Sequence, residues 1–128
     1  MVSQIETNGA PKPIGPYSQA IKVESGSALL FVSGQIPLDP ATGSIVEGGI
    51  VKQTHQSLKN IEAILATAGC DKSQVVKVEI FLTDLSLFSL VNEVYGQWLE
   101  GAAPARQTIE VSALPAGALI EISCTAVL

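Results

Sequence analysis

Val75-Val76-Lys77-Val78-Glu79-Ile80-Phe81-Leu82-Thr83 is the stretch that decides the fold. Val76, Val78, Ile80 and Leu82 fall on one side of an extended chain, and Lys77, Glu79, Phe81 and Thr83 on the other, because side chains alternate along a strand. The run predicts a strand with one apolar face. On both flanks the apolar period changes to that of a helix. Upstream, from about Ile50 to Ala68, residues Leu58, Ile61, Leu65 and Ala68, with Ile64 alongside, share a face, and Gly69 stands where a helix-terminating glycine belongs. Downstream, Asp84 is a candidate N-cap. Phe88, Val91, Val94, Tyr95 and Trp98 form the stripe of a second helix, and Gly101 stops it.

Further out, Ser18–Val23 and Ala28–Ser33 read as strands. The polar connection Glu24-Ser25-Gly26-Ser27 predicts that they form a hairpin. Gly34 closes the second strand, Pro37–Gly43 is a long turn, and a short extended piece is expected at Ser44–Glu47. After the second helix come strand Gln107–Val111, a turn at Pro115-Ala116-Gly117, and strand Leu119–Val127. The order β-β-(β)-α-β-α-β-β predicts an α+β domain spanning residues 1–128, with a mixed sheet of five or six strands. Two helices, each ~10 Å wide, cover one face of such a sheet. The other face carries Phe81 and Thr83 or their alternates, with Leu119, Glu121, Ser123, Thr125 and Val127. That mixture is expected to pack against other subunits in a closed oligomer.

The chain has 128 residues, 47% of them hydrophobic and 15% charged, which suits one compact domain. Twelve acidic residues against seven basic ones leave a net charge of −5. Nucleic-acid backbones and anionic membranes are therefore not expected partners. Cys70, Cys124 and His55 are too few and too scattered for a structural zinc site, and no metal or cofactor is expected. The first sixteen residues show no signal or transit pattern, and no apolar run reaches the ~20 residues of a membrane span. The expectation is a cytoplasmic protein with reduced thiols.

Six of the seven basic residues are lysines; the seventh is Arg106. A lone guanidinium between two apolar stretches suits bidentate recognition of a carboxylate or phosphate. Glu121 lies mid-strand and points away from Ile120 and Ile122. If its face is an interface, Glu121 is a partly buried carboxylate that can orient or activate water. Arg106 and Glu121 sit on strands joined by a short connection, so they are expected to approach one site. Ser33 offers a hydroxyl, and Gly34 lets a ligand approach backbone. Tyr17 follows the Pro-rich loop Gly9–Pro16, and Asn92 flanks the stripe of the second helix, as an anchor or as an exposed residue. No GxSxG elbow exists, and His55 reads as a helix-surface or packing residue. Gly48-Gly49 lacks the context of a phosphate loop.

Five separated motifs resemble the RidA (YjgF) family of reactive intermediate deaminases: Ile14-Gly15-Pro16-Tyr17-Ser18-Gln19-Ala20, Val32-Ser33-Gly34-Gln35-Ile36-Pro37, Val91-Asn92-Glu93-Val94-Tyr95, Pro104-Ala105-Arg106 and Ile120-Glu121-Ile122. The resemblance runs the whole length, in order. It implies a chorismate-mutase-like α+β fold and a homotrimer with clefts between subunits. It also implies hydrolysis of 2-iminobutanoate and 2-iminopropanoate to 2-keto acids and ammonia, which protects PLP enzymes. Arg106 would then grip the substrate carboxylate and Glu121 would position water. Tyr17, Ser33, Gly34, Asn92 and Thr108 would line the pocket, Thr108 mainly through backbone. The chain departs from the pattern at Gln107-Thr108, where many members read Ser-Cys. Rival expectations are a non-enzymatic 2-keto-acid binding protein, an endoribonuclease and a chorismate mutase. The acidic balance disfavours the endoribonuclease, and a single arginine per chain disfavours the chorismate mutase.

Overall fold

The computed structural model describes residues 2–101 and 103–128. The decisive stretch is strand β6 (Val75–Leu82), with Val78, Ile80 and Leu82 sealed on one face and Lys77, Glu79 and Phe81 half-buried on the other. Here β1 is Val2–Ile5, β2 Ala20–Val23, β3 Leu29–Gln35, β4 Leu38–Asp39, β5 Ser44–Ile45, β7 Ala105–Glu110 and β8 Ile120–Val127. The main sheet has the order β3-β8-β6-β7. Its β6–β7 pair is parallel and the others antiparallel. A parallel pair needs a crossover, and α2 (Phe88–Trp98) supplies it.

Helix α1 (Gly49–Thr67) buries Ile50, Leu58, Ile61 and Leu65. It ends at Ala68, and Gly69 adopts φ +84° as expected of a terminating glycine. Asp84 caps, but not α2 itself. Its carboxylate accepts from Ser86 N at 3.0 Å and starts one 3-10 turn at Leu85–Leu87, after which α2 begins. Both helices lie on the β6 face that carries Val78, Ile80 and Leu82, and with Ile120, Ile122 and Cys124 of β8 they enclose the core. Among the described residues, no helix is long and apolar enough to cross a membrane.

Two expectations change. The hydrogen-bonded main sheet has four strands rather than five or six, because β1–β2 and β4–β5 are separate two-stranded ribbons. The predicted hairpin between β2 and β3 does not form. Instead β2 pairs with β1, and Ser18 just before it bridges to Ala105 at the start of β7. An alternating run announces a strand without naming its partner, and here contacts distant in sequence choose it. The β4–β5 ribbon, Leu38 opposite Ile45 and Asp39 opposite Ser44, accounts for the extended piece after the Pro37–Gly43 turn.

Candidate functional site

Arg106 is the second residue of β7, opposite Val78 of β6, so it points toward the helix layer as Val78 does. There α2 presents Phe88, Asn92 and Tyr95 at spacings of four and three, one helical face turned on the guanidinium. The Arg106 Cζ lies 5.5 Å from the Phe88 ring centre, 5.2 Å from that of Tyr95 and 5.7 Å from that of Tyr17. Asn92 is an anchor: its Oδ1 accepts from Arg106 Nη1 at 2.5 Å. Tyr17 reaches the group because its backbone is pinned. Tyr17 N donates to Gly15 O at 2.8 Å, and Ser18 N donates to Pro104 O at 3.0 Å. Gly15 itself lies so close that a Cβ there would sit 3.5 Å from Arg106 Nη2.

The guanidinium is half-buried, and loss of solvent pushes its pKa down, partly opposed by Tyr95 and Tyr17. An arginine still keeps its charge in such surroundings. Among the described residues no carboxylate lies within ion-pair distance of it. Three aromatic faces and one amide oxygen therefore hold a cation that lacks a counter-ion. It opens on a cleft of about 250 Å³ lined by Ile14, Gly15, Tyr17, Phe88, Asn92, Gln107 and Thr108. Such a cleft can take up a small anion.

Thr108 lies two residues beyond Arg106 on the same face of β7, opposite Ile80. Its Oγ1 is buried without a hydrogen-bond partner, and so is the Tyr95 hydroxyl. Burial drives the Tyr95 phenol well above its ordinary pKa, so it stays protonated. Cys124, also buried, has its thiol pushed up to about 11, and Cys70 is raised in the same direction; both are free and poorly nucleophilic. His55 is exposed on α1, as expected. Among the described residues no three His, Cys, Asp or Glu side chains converge on one point.

Glu121 is elsewhere. It sits on β8 opposite Phe81, which in turn lies opposite Ile109 of β7. The carboxylate is therefore two strands across and three residues along from Arg106, about 14 Å away, and on the opposite face of the sheet. The expectation that the two approach each other within one chain is not met. Glu121 has different neighbours. A register shift between Val32 and Gln35 bulges Ser33 and Gly34 out of the β3–β8 ladder. A Cβ on Gly34 would come within 2.6 Å of Glu121 Cδ, so the bare glycine makes room for this carboxylate. The residues singled out by sequence thus form two groups: Tyr17, Asn92, Arg106 and Thr108 at the β7 edge, and Ser33, Gly34 and Glu121 at the β3 edge.

Phe88 and Tyr95 were legible only as members of an apolar stripe. Their spacing to Asn92 was the available sign that one polar position shares their face. Ile14 and Gly15 stand in the first of the five motifs and Gln107 in the departure beside Arg106, but none of the three was singled out as a cleft residue.

The family model described as Endoribonuclease L-PSP matches residues 7–128. The chain is 54% identical over 123 residues to Protein DfrA of Myxococcus xanthus, covering 96% of this chain and 93% of that protein. It is 46% identical to the 2-iminobutanoate/2-iminopropanoate deaminase of Mus musculus, over 96% of this chain and 89% of the other. Among solved structures, YyfA of the conserved Rid protein family from Yersinia pestis aligns over 100% of both chains, at 50% identity and a TM-score of 0.76.

Proposed function

The chain belongs to the RidA/YjgF family, and from that premise we propose that it hydrolyses small 2-imino acids to 2-keto acids and ammonia. The observation that carries this reading is the uncompensated guanidinium of Arg106 in its aromatic cage. A cation without a counter-ion, opening on a cleft of about 250 Å³, suits the carboxylate of a small 2-imino acid. The mouse relative named as a 2-iminobutanoate/2-iminopropanoate deaminase supports the substrate class.

The chemistry asks little of the protein. Arg106 binds the carboxylate, and Asn92 holds the guanidinium in orientation. Glu121 accepts a proton as water attacks the imine carbon, giving a carbinolamine. The proton passes to nitrogen, the C–N bond breaks as the hydroxyl gives its remaining proton to Glu121 and becomes the carbonyl, and ammonia leaves, taking that proton from Glu121 as ammonium. Positioning and proton transfer of this kind are each worth orders of magnitude in rate. Because Glu121 and Arg106 lie on opposite faces of their own sheet, the Glu121 that serves one cleft belongs to a neighbouring copy. A head-to-tail ring of three copies provides three such shared clefts, and the partly apolar open face with Phe31, Phe81 and Ile109 gives them a surface to close on. The word endoribonuclease in the family description fits this chain less well, given its charge of −5 and a single histidine that is exposed on α1.

The test is turnover of the imine released from threonine by a PLP-dependent dehydratase. Wild-type protein is expected to speed its loss, and Arg106→Ala to cut kcat/KM by about 10²–10³, the cost of removing a buried charge partner. Equal rates with and without the protein refute the reading. Activity left unchanged in Arg106→Ala removes the guanidinium from the mechanism. Mixing Arg106→Ala with Glu121→Gln chains tests the shared cleft, since mixed oligomers rebuild one intact site.

A further inference from the structure

Strands β1 and β2 are joined by residues 6–19, and part of the wall of the Arg106 cleft is the second half of that loop. A loop of this length, with no helix or strand of its own, needs internal ties to hold one shape. The β1–β2 ladder stops where Ile5 faces Ala20. Just past that point the side chain of Gln19 takes over the task of the ladder. Its Oε1 accepts from Thr7 N at 2.7 Å, and its Nε2 donates to Thr7 O at 3.0 Å, Pro11 O at 2.8 Å and Ala10 O at 3.3 Å. A carboxamide can accept from an N–H and donate to carbonyls at once. One side chain thus straps the outgoing arm of the loop to the returning arm.

The other ties of the outgoing arm are weak. Lys12 meets Glu6 only at 4.0 Å, with both side chains more than half exposed, and such a pair contributes little. Gly9 N donates to Thr7 Oγ1, within the arm itself. The returning arm is the one the cleft uses. Ile14, Gly15 and Tyr17 line it, the Tyr17 ring centre lies 5.7 Å from Arg106 Cζ, and Ile14 N donates to the Tyr17 hydroxyl at 3.4 Å. Ser18 is fixed independently of Gln19, its N on Pro104 O and its hydroxyl on Ala103 O. Releasing Gln19 therefore frees residues 7–16 and leaves β2 and the main sheet in place.

We propose that Gln19 is a positioning residue. Its carboxamide latches the 6–19 loop in the shape that lays Gly15 and Tyr17 beside the Arg106 guanidinium, and so sets how tightly the cleft holds a small 2-keto or 2-imino carboxylate. Gln19 is not among the residues that line the cleft, so it acts through the loop, on binding and not on the attack of water. The inference rests on the reading that the cleft takes such a carboxylate, and adds the group that shapes its wall.

Gln19→Glu tests the latch at nearly constant shape. The new oxygen faces the carbonyls of Thr7, Ala10 and Pro11, which accept and cannot donate, so the strap becomes a repulsion. Loosening of the Tyr17 ring and the Gly15 wall is expected to raise Kd for 2-oxobutyrate and KM for the imine about tenfold each, with kcat within twofold of wild type. Affinity within twofold of wild type overturns the latch, and so does a fall in kcat at unchanged KM. Coupling is reciprocal, so a ligand that prefers the latched loop must tighten the latch by the same factor. In wild-type protein, where no variant has to fold, hydrogen exchange at the Thr7 amide is expected to slow about tenfold on saturation with 2-oxobutyrate. An exchange rate that the bound ligand leaves unchanged overturns the proposal. Wild-type protein that neither binds 2-oxobutyrate nor speeds loss of the imine overturns the functional reading and this inference with it. Binding and turnover present in wild type and unshifted in Gln19→Glu sink the latch alone.

Discussion

Asn92→Asp changes one atom type and reverses the electrostatics of the cleft. The amide oxygen of Asn92 already accepts from Arg106 at 2.5 Å, so an aspartate fits the same space and puts a full negative charge on the guanidinium. A substrate carboxylate bound to the free side of Arg106 would then lie roughly 6 Å from that charge, a repulsion of about 3 kcal/mol at an effective dielectric constant near 20. Affinity for a 2-keto acid such as 2-oxobutyrate should fall by about 100-fold. Stability should move the other way. The half-buried cation gains a partner, and a net gain near 1 kcal/mol corresponds to a rise in Tm of roughly 3–5 °C for a domain of this size. Calorimetric titration and thermal unfolding of the same preparation measure both. Opposite signs are the signature: a packing defect lowers affinity and Tm together. Binding within threefold of wild type refutes the assignment of Arg106 as the carboxylate receptor, and a lowered Tm refutes the electrostatic account.

Other perturbations probe the remaining parts. Gly34→Ala places a methyl group where Glu121 now lies; turnover should drop at least tenfold with 2-oxobutyrate binding retained, and unchanged kcat would show that the carboxylate position is immaterial. Thr108→Val removes an unpartnered buried hydroxyl at nearly constant shape, so Tm should rise by an amount equivalent to about 1 kcal/mol, and a fall would reveal a partner for that hydroxyl in the assembled protein. Cys124 is held protonated up to about pH 11 in the fold against an ordinary value of 9.0. Its raised pKa leaves stability unaffected below pH 9 and lowers it as pH rises toward 11, where only the unfolded chain ionises freely. Denaturant titrations from pH 8 to 11 should show a shallower alkaline decline in Cys124→Ser than in wild type, whatever the offset between them. Equal slopes would refute the burial of the thiol.

What sequence discloses here follows periodicity and stops at partnership. The alternation of Val75–Thr83, the stripe ending at Gly69 and the outward direction of Glu121 from Ile120 and Ile122 all appear in the structure as read. The face of Arg106 was not open to such a reading. The predicted strand began at Gln107, whereas β7 begins at Ala105, and only the pairing of Arg106 with Val78 turns it to the helix layer. A slip of one residue would turn it to the other face. The β2–β3 hairpin failed for a related reason: Gly26 does take φ +88°, but the strands it joins go to different partners. Tyr95 is hidden by its own chemistry, since an aromatic at a core position looks the same in sequence whether or not a cation rests on its ring.

That double duty of Tyr95 limits how the family can diversify. The ring is fully enclosed, and trimming it to alanine would cost about 3–5 kcal/mol, a large part of the stability of a small domain. Purifying selection on folding therefore freezes the inner wall of the cleft along with the helix that carries it. New preferences must be written at the rim, where Ile14 is 96% exposed in the single chain and a change of side chain breaks no core packing. Paralogues descended from a chain like this one should differ at that position long before they differ at Tyr95.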